Sequence, residues 1–277
     1  MDPLVSTEWL AAHLHEPGLL VFDATYYLPT ENRDAAAEFQ HAHIPGARFF
    51  SIDEVADPGT DLPHMVPSPA RFERLMGAMG LSNTSRAVFY DQKGVNSAPR
   101  GWWLLGLFGH DQAAVLDGGL PKWVREGRAT ESGTPPAPAP SVFQASFHAA
   151  RLRGIGDMLA PDPGRVVLDA RAPGRFHGTA PEPRPGLPSG HMPGSRNLPA
   201  ASLLAADGTM LPPEQLRTLF AAAGADGSKP VVTSCGSGIT ATVLALGLRR
   251  AGLPDAAVYD GSWTEWASRP DTPKETT

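Results

Sequence analysis

The chain has 277 residues, 42% of them hydrophobic, which suits two domains of ordinary size or one large one with well-filled cores. A formal net charge of -6 and the lack of any basic stripe exclude nucleic acid and anionic membrane as expected partners. A single cysteine excludes an internal disulfide and any zinc site built from several thiolates.

Along the chain the first twenty residues carry no Lys or Arg, so no signal peptide is expected, and no apolar run approaches the roughly 18 residues of a membrane span. A soluble protein of a reducing, cytoplasmic compartment is the expectation. The next segments each occur twice. "LVFDAT" (20–25) returns as "VVLDAR" (166–171), and "AHIPGAR" (42–48) as "GHMPGSR" (190–196). "SPARFERLMGAMG" (68–80) is an amphipathic helical stretch with Phe72, Leu75, Met76 and Met79 on one face. "PPEQLRTLFAAAG" (212–224) repeats it with Leu216, Leu219, Phe220 and Ala223. "AVFYD" (87–91) returns as "VVTSC" (231–235), and "AVLDGGLPKW" (114–123) as "AVYDGSWTEW" (257–266). The chain therefore reads as a tandem duplication, residues 1–130 and 151–277, joined by a linker over 131–150 that includes the Pro-rich "SGTPPAPAPS". In each half β-branched runs alternate with helical stretches, which predicts an α/β fold with a mostly parallel sheet flanked by helices.

In such sheets ligands bind beyond the carboxyl ends of the strands. The predicted strand "PVVTS" ends at Cys235, and "ATVLALGLRRAG" (241–252) reads as a helix stopped by Gly252 and Pro254. The thiol thus lies on a strand-to-helix turn. Gly236 and Gly238 let the backbone fold tightly there, so that N–H groups at the helix start can converge on one anion. Ser237 and Thr240 add hydroxyl donors. Such a cradle favours an anionic sulfur, thiolate or persulfide. The first half has Asp91 at the place of Cys235, which makes one half reactive and the other a structural copy. "GSGITA" also fits a dinucleotide fingerprint, but about 40 residues remain after it, too few for the rest of that fold. A cysteine phosphatase needs an arginine six positions after the cysteine, where this chain has Ala241. A non-catalytic binding module accounts for the fold but not for the thiol turn.

The tandem halves, the H-[IM]-P-G-[AS] motif in each, and "CGSGIT" after a strand together resemble the two-domain rhodanese superfamily. "CGSGIT" is most similar to its 3-mercaptopyruvate branch; thiosulfate-using members typically carry "CRKGVT". The resemblance implies two rhodanese-like domains, the first non-catalytic and the second catalytic, with the site in the cleft between them. It implies that Cys235 is the sulfur-carrying nucleophile and that Gly236, Gly238, Ile239 and Thr240 line the donor. Arg175 in "GRFHG" and Arg184 in "PEPRPG" would hold the donor's carboxylate and ketone. Asp53 in "FFSIDE" and His64 in "LPHMVP" would join Ser237 in a relay. The implied reaction moves sulfur from a small donor to a thiol such as thioredoxin or a small thiol, or to cyanide, with no metal or organic cofactor required. Thiosulfate as donor is the nearest alternative.

Overall fold

In the computed structural model, which describes residues 1–160 and 162–276, two five-stranded sheets account for all the named strands. The first comprises β1 (Leu4–Val5), β2 (Leu19–Asp23), β3 (Arg48–Phe49), β4 (Arg86–Tyr90) and β5 (Ala113–Leu116), in the order β1-β5-β4-β2-β3. The second comprises β6 (Leu152–Arg153), β7 (Val166–Asp169), β8 (Arg196–Asn197), β9 (Val231–Ser234) and β10 (Ala257–Tyr259), in the order β6-β10-β9-β7-β8. Every pairing is parallel, with Val21 opposite Val88 in one sheet and Leu168 opposite Thr233 in the other. The central strands β4 and β9 are buried almost along their length, which is why they read as continuous apolar or β-branched runs.

The repeated helical segments form as Pro69–Ala78 and Pro213–Ala222. Each starts on a proline, whose fixed φ suits a first helical turn, and the Ser68 hydroxyl caps the first by accepting from Arg71 N. Residues 131–148 contain no helix or strand segment and run as an extended strap. Its start is tied down where His43 and Glu131 exchange backbone hydrogen bonds, and Ser141 N donates to Gly77 O. Among the described residues no helix is long and apolar enough to cross a membrane.

The halves meet through helix Ala98–Leu107, buried at every position, which packs against helix Ala241–Arg250. Around this contact two cross-connections mirror each other. Asp117, just after β5, accepts from Met210 N of the second half at 2.7 Å. Asp260, just after β10, accepts from Val66 N of the first half at 2.6 Å. The carboxyl ends of β4 and β9 thus come to lie along one interface, where a cleft opens between the halves.

Candidate active site

Strand β9 delivers Cys235 to a tight loop, 236–240, and helix Ala241–Arg250 begins directly after it. Gly238 has φ 78, and a Cβ there would lie 2.8 Å from Asp260 O, so both the backbone conformation and the space require glycine. The start of the next helix, Ser262–Ser268, fixes the loop from behind. Cys235 N donates to Ser262 Oγ at 3.1 Å, Trp263 N donates to Cys235 O at 3.0 Å, and Thr264 donates through N and Oγ1 to Gly236 O. With its carbonyl and amide so occupied, Cys235 presents its side chain towards the cleft. The residue is 2% exposed, yet it lines the cleft wall together with Gly236, Ser237, Ile239 and Thr240.

The same turn in the first half holds an anion. Asp91, fully buried, accepts from Lys93 N on one carboxylate oxygen, and from the amides of Asn96, Ser97 and Ala98 on the other, all at 2.8–2.9 Å. Converging amides of this kind form a nest at a helix start. The carboxylate holds its loop so that Lys93 and Asn96 face the cleft opposite Cys235.

Two arginines approach the nucleophile. A Cβ on Gly236 would lie 2.8 Å from Arg175 Nη2 and 3.9 Å from Arg184 Nη1. Arg175 is paired with Glu182 at 2.6 Å, and the Glu182 side chain, 3% exposed, also accepts from Arg171 at 2.8 Å. Arg171 is itself buried on Asp169 and over the Trp263 ring. Glu182 therefore anchors Arg175 and compensates its charge. On the facing wall Lys93 is paired with Glu31 at 2.7 Å. Among the described residues no carboxylate lies within ion-pair distance of Arg184, whose Nη2 reaches only the Tyr26 hydroxyl at 3.5 Å. Of the three cations lining the cleft, Arg184 is the one with no ion-pair partner among the described residues, which leaves its guanidinium available to a small anionic donor.

The sequence-expected relay comes together across the halves. His64 Nε2 lies 3.1 Å from Asp53 Oδ1, and Nδ1 lies 2.9 Å from Ser237 Oγ. The hydrogen bond with His64 holds the Asp53 carboxyl below the usual aspartate range, so it is ionised and can only accept. That places the imidazole proton on Nε2 and leaves Nδ1 to accept from the Ser237 hydroxyl. Burial pushes the His64 pKa below the ordinary imidazole value, against the pull of Asp53 and with the help of Arg184 and Arg100. The Tyr26 ring meets His64 edge-on at 4.6 Å. His64 has φ 63, a left-handed conformation that costs a non-glycine residue roughly 1–3 kcal/mol.

Of the residues expected from the sequence to serve the site, all but Gly238 border this cleft or the relay beside it. Asp53, His64 and Ser237 form the relay, and Arg175, Arg184, Gly236, Ile239 and Thr240 line the wall around Cys235. Gly238 shapes the loop from behind rather than lining the cleft. Glu182, Arg171, Tyr26, Glu31, Lys93, Asn96, Arg100 and Asp260 were not expected. Glu182 lies within the "PEPRPG" segment, but its pairing with Arg175 depends on an irregular loop whose course no spacing predicts. A larger hollow beneath the strap, with Phe39, Phe49, Met79 and Pro138 among its walls, is lined by no cysteine, serine, histidine or carboxylate.

The sequence pattern of the Rhodanese-like domain matches the chain twice, over residues 6–126 and 156–269. The chain is 42% identical to human 3-mercaptopyruvate sulfurtransferase over 96% of its own length and 92% of the relative's. It is 41% identical to bovine thiosulfate sulfurtransferase, covering 99% and 94%. The crystal structure of SseA from Escherichia coli, described as a 3-mercaptopyruvate sulfotransferase of rhodanese fold, superposes with a TM-score of 0.85 at 33% identity, covering 95% of this chain and 99% of that one.

Proposed function

The chain belongs to the rhodanese family and is a sulfurtransferase; from that premise we propose that it moves a sulfane sulfur from 3-mercaptopyruvate through a persulfide on Cys235 to an acceptor thiol, releasing pyruvate. The observation that carries this reading is the pair of guanidinium groups beside Gly236, in a loop that itself contributes no cation. The donor's carboxylate and keto oxygen dock on Arg184 and Arg175, which suit planar oxygen pairs. The Cys235 thiolate attacks the donor sulfur. An S–S bond forms and the C–S bond breaks, its electron pair leaving with carbon as the enolate of pyruvate, whose oxygen the arginines stabilise. Ser237 Oγ takes the donor thiol's proton as His64 Nδ1 accepts its own, and the proton is returned to the enolate carbon to give pyruvate. An acceptor thiolate, from thioredoxin or a small thiol, then attacks the outer sulfur and restores the Cys235 thiolate. A reducing, cytoplasmic setting keeps that thiol available.

Thiosulfate is kept as a second donor because the chain is as similar to the bovine thiosulfate sulfurtransferase as to the human mercaptopyruvate one. Steady-state kinetics with both donors, against cyanide and a thiol acceptor, test the reading. Double displacement predicts parallel reciprocal plots and a higher kcat/KM for 3-mercaptopyruvate. Intersecting plots would remove the persulfide from the mechanism, and a preference for thiosulfate would reassign the donor.

A further inference from the structure

We propose that Arg100 and Asp260 are positioning residues for this reaction: they bind the backbone of His64 and the Cys235 loop to each other across the two halves, and so keep His64 Nδ1 on Ser237. The proposal rests on the sulfurtransferase reading above.

Both side chains are buried, and they face each other from different halves at 2.7 Å. Arg100 Nη2 also donates to His64 O at 2.6 Å, and Nη1 donates to Gly238 O at 3.2 Å. Asp260 accepts from Val66 N with its other oxygen at 2.6 Å. One ion pair thus holds residues 64 and 66 on one side of the relay and residue 238 on the other. The relay contact itself joins Ser237 to His64 through a single hydrogen bond between halves, with no covalent constraint near it.

The internal repeat supplies the comparison. Up to the loops the register pairs Asp91 with Cys235 and Val66 with Met210, so His64 corresponds to Gly208; the second loop is one residue shorter, and the helix starts at Ala98 and Ala241 then pair Arg100 with Val243. Gly208 has φ 83, so both halves bend left-handed at this place, but only the first puts a side chain on the bend. The mirrored connection, Asp117 to Met210 N, has no arginine bonded to its carboxylate among the described residues, since buried Val243 stands where Arg100 would be. A guanidinium bonds directly to the connecting carboxylate where a strained histidine must be held on a serine, and not at the mirrored place. Structural joining alone would need no such difference.

The test compares Arg100→Met/Asp260→Asn, which removes both buried charges and leaves neither unpaired, with Asp117→Asn at the mirrored connection. Pyruvate release from 3-mercaptopyruvate gives kcat and KM, and nitrogen-15 NMR of the imidazole reports the His64 tautomer. The double variant is expected to lose about tenfold to a hundredfold in kcat with KM changed less than about twofold. Its His64 spectrum is expected to move to a mixture of tautomers, while Asp117→Asn leaves both readouts as in the wild type. An unchanged kcat and His64 spectrum in the folded double variant overturns the proposal, as does an equal loss in Asp117→Asn. Should the double variant not fold, Arg100→Lys keeps the charge but not the forked donors; a wild-type kcat and spectrum there overturns it equally. A wild type that releases no pyruvate sinks the sulfurtransferase reading, while the His64 spectra still decide the latch.

Discussion

His64 sits where charge, burial and backbone strain meet. Its neutral form is the one that accepts the Ser237 proton, and burial favours that form by pushing the pKa below the ordinary value of 6.5. The contribution of the neutral ring is fully present above the ordinary imidazole pKa and is lost as pH falls through the lower, folded value. The acid limb of kcat should therefore lie below pH 6.5, and replacing His64 with Ala should abolish that limb while lowering kcat about a hundredfold. A pH series of pyruvate release on both proteins checks this. A limb above 6.5, or one that survives in the variant, would assign the titration to another group. Asp53 and His64 were legible in the sequence only through the family resemblance. Their own neighbours, "FFSIDE" and "LPHMVP", do not say that a left-handed bend brings the imidazole to a serine 173 positions away.

Among the elements, the strand-to-helix turn does the most, and the two halves use one turn for two purposes. After β4 its amides close on the Asp91 carboxylate and stiffen a wall of the cleft; after β9 the same turn carries the nucleophile. This turn was readable from the sequence because glycines, a strand run and a helix run occur in order around one cysteine. Charge compensation was not readable. Glu182 cancels Arg175 and Glu31 cancels Lys93 through loop contacts, so a count of basic residues in the motifs overstates the cleft's positive charge. Adding cations to the loop should accordingly change what it selects. Replacing Gly236 with Arg and Ser237 with Lys should raise kcat/KM for thiosulfate relative to 3-mercaptopyruvate, even as overall turnover falls with the lost Ser237–His64 bond. An unchanged ratio in the two-donor assay would mean that loop charge does not choose the donor.

At the scale of the whole molecule, duplication explains why a site can be built from residues far apart in sequence. The two sheets repeat one strand order, and the halves face each other so that one carries the sulfur nucleophile and the other supplies Asp53, His64, Tyr26 and Lys93. The duplication itself was plain in the sequence, because apolar periodicity and the H-[IM]-P-G-[AS] turns survive as packing requirements in both copies. The mutual arrangement of the halves was not, since it is set by contacts such as Arg100–Asp260, 160 residues apart. Sulfur transfer begins with Cys235 receiving sulfur from a small donor in the cleft. Intact-mass analysis of the full chain, after brief incubation with 3-mercaptopyruvate and no acceptor, measures that step. A gain of one sulfur atom, localised to the Cys235 peptide and absent in Cys235→Ser, is the predicted result; an unmodified wild-type mass, or the same gain in the serine variant, would contradict it.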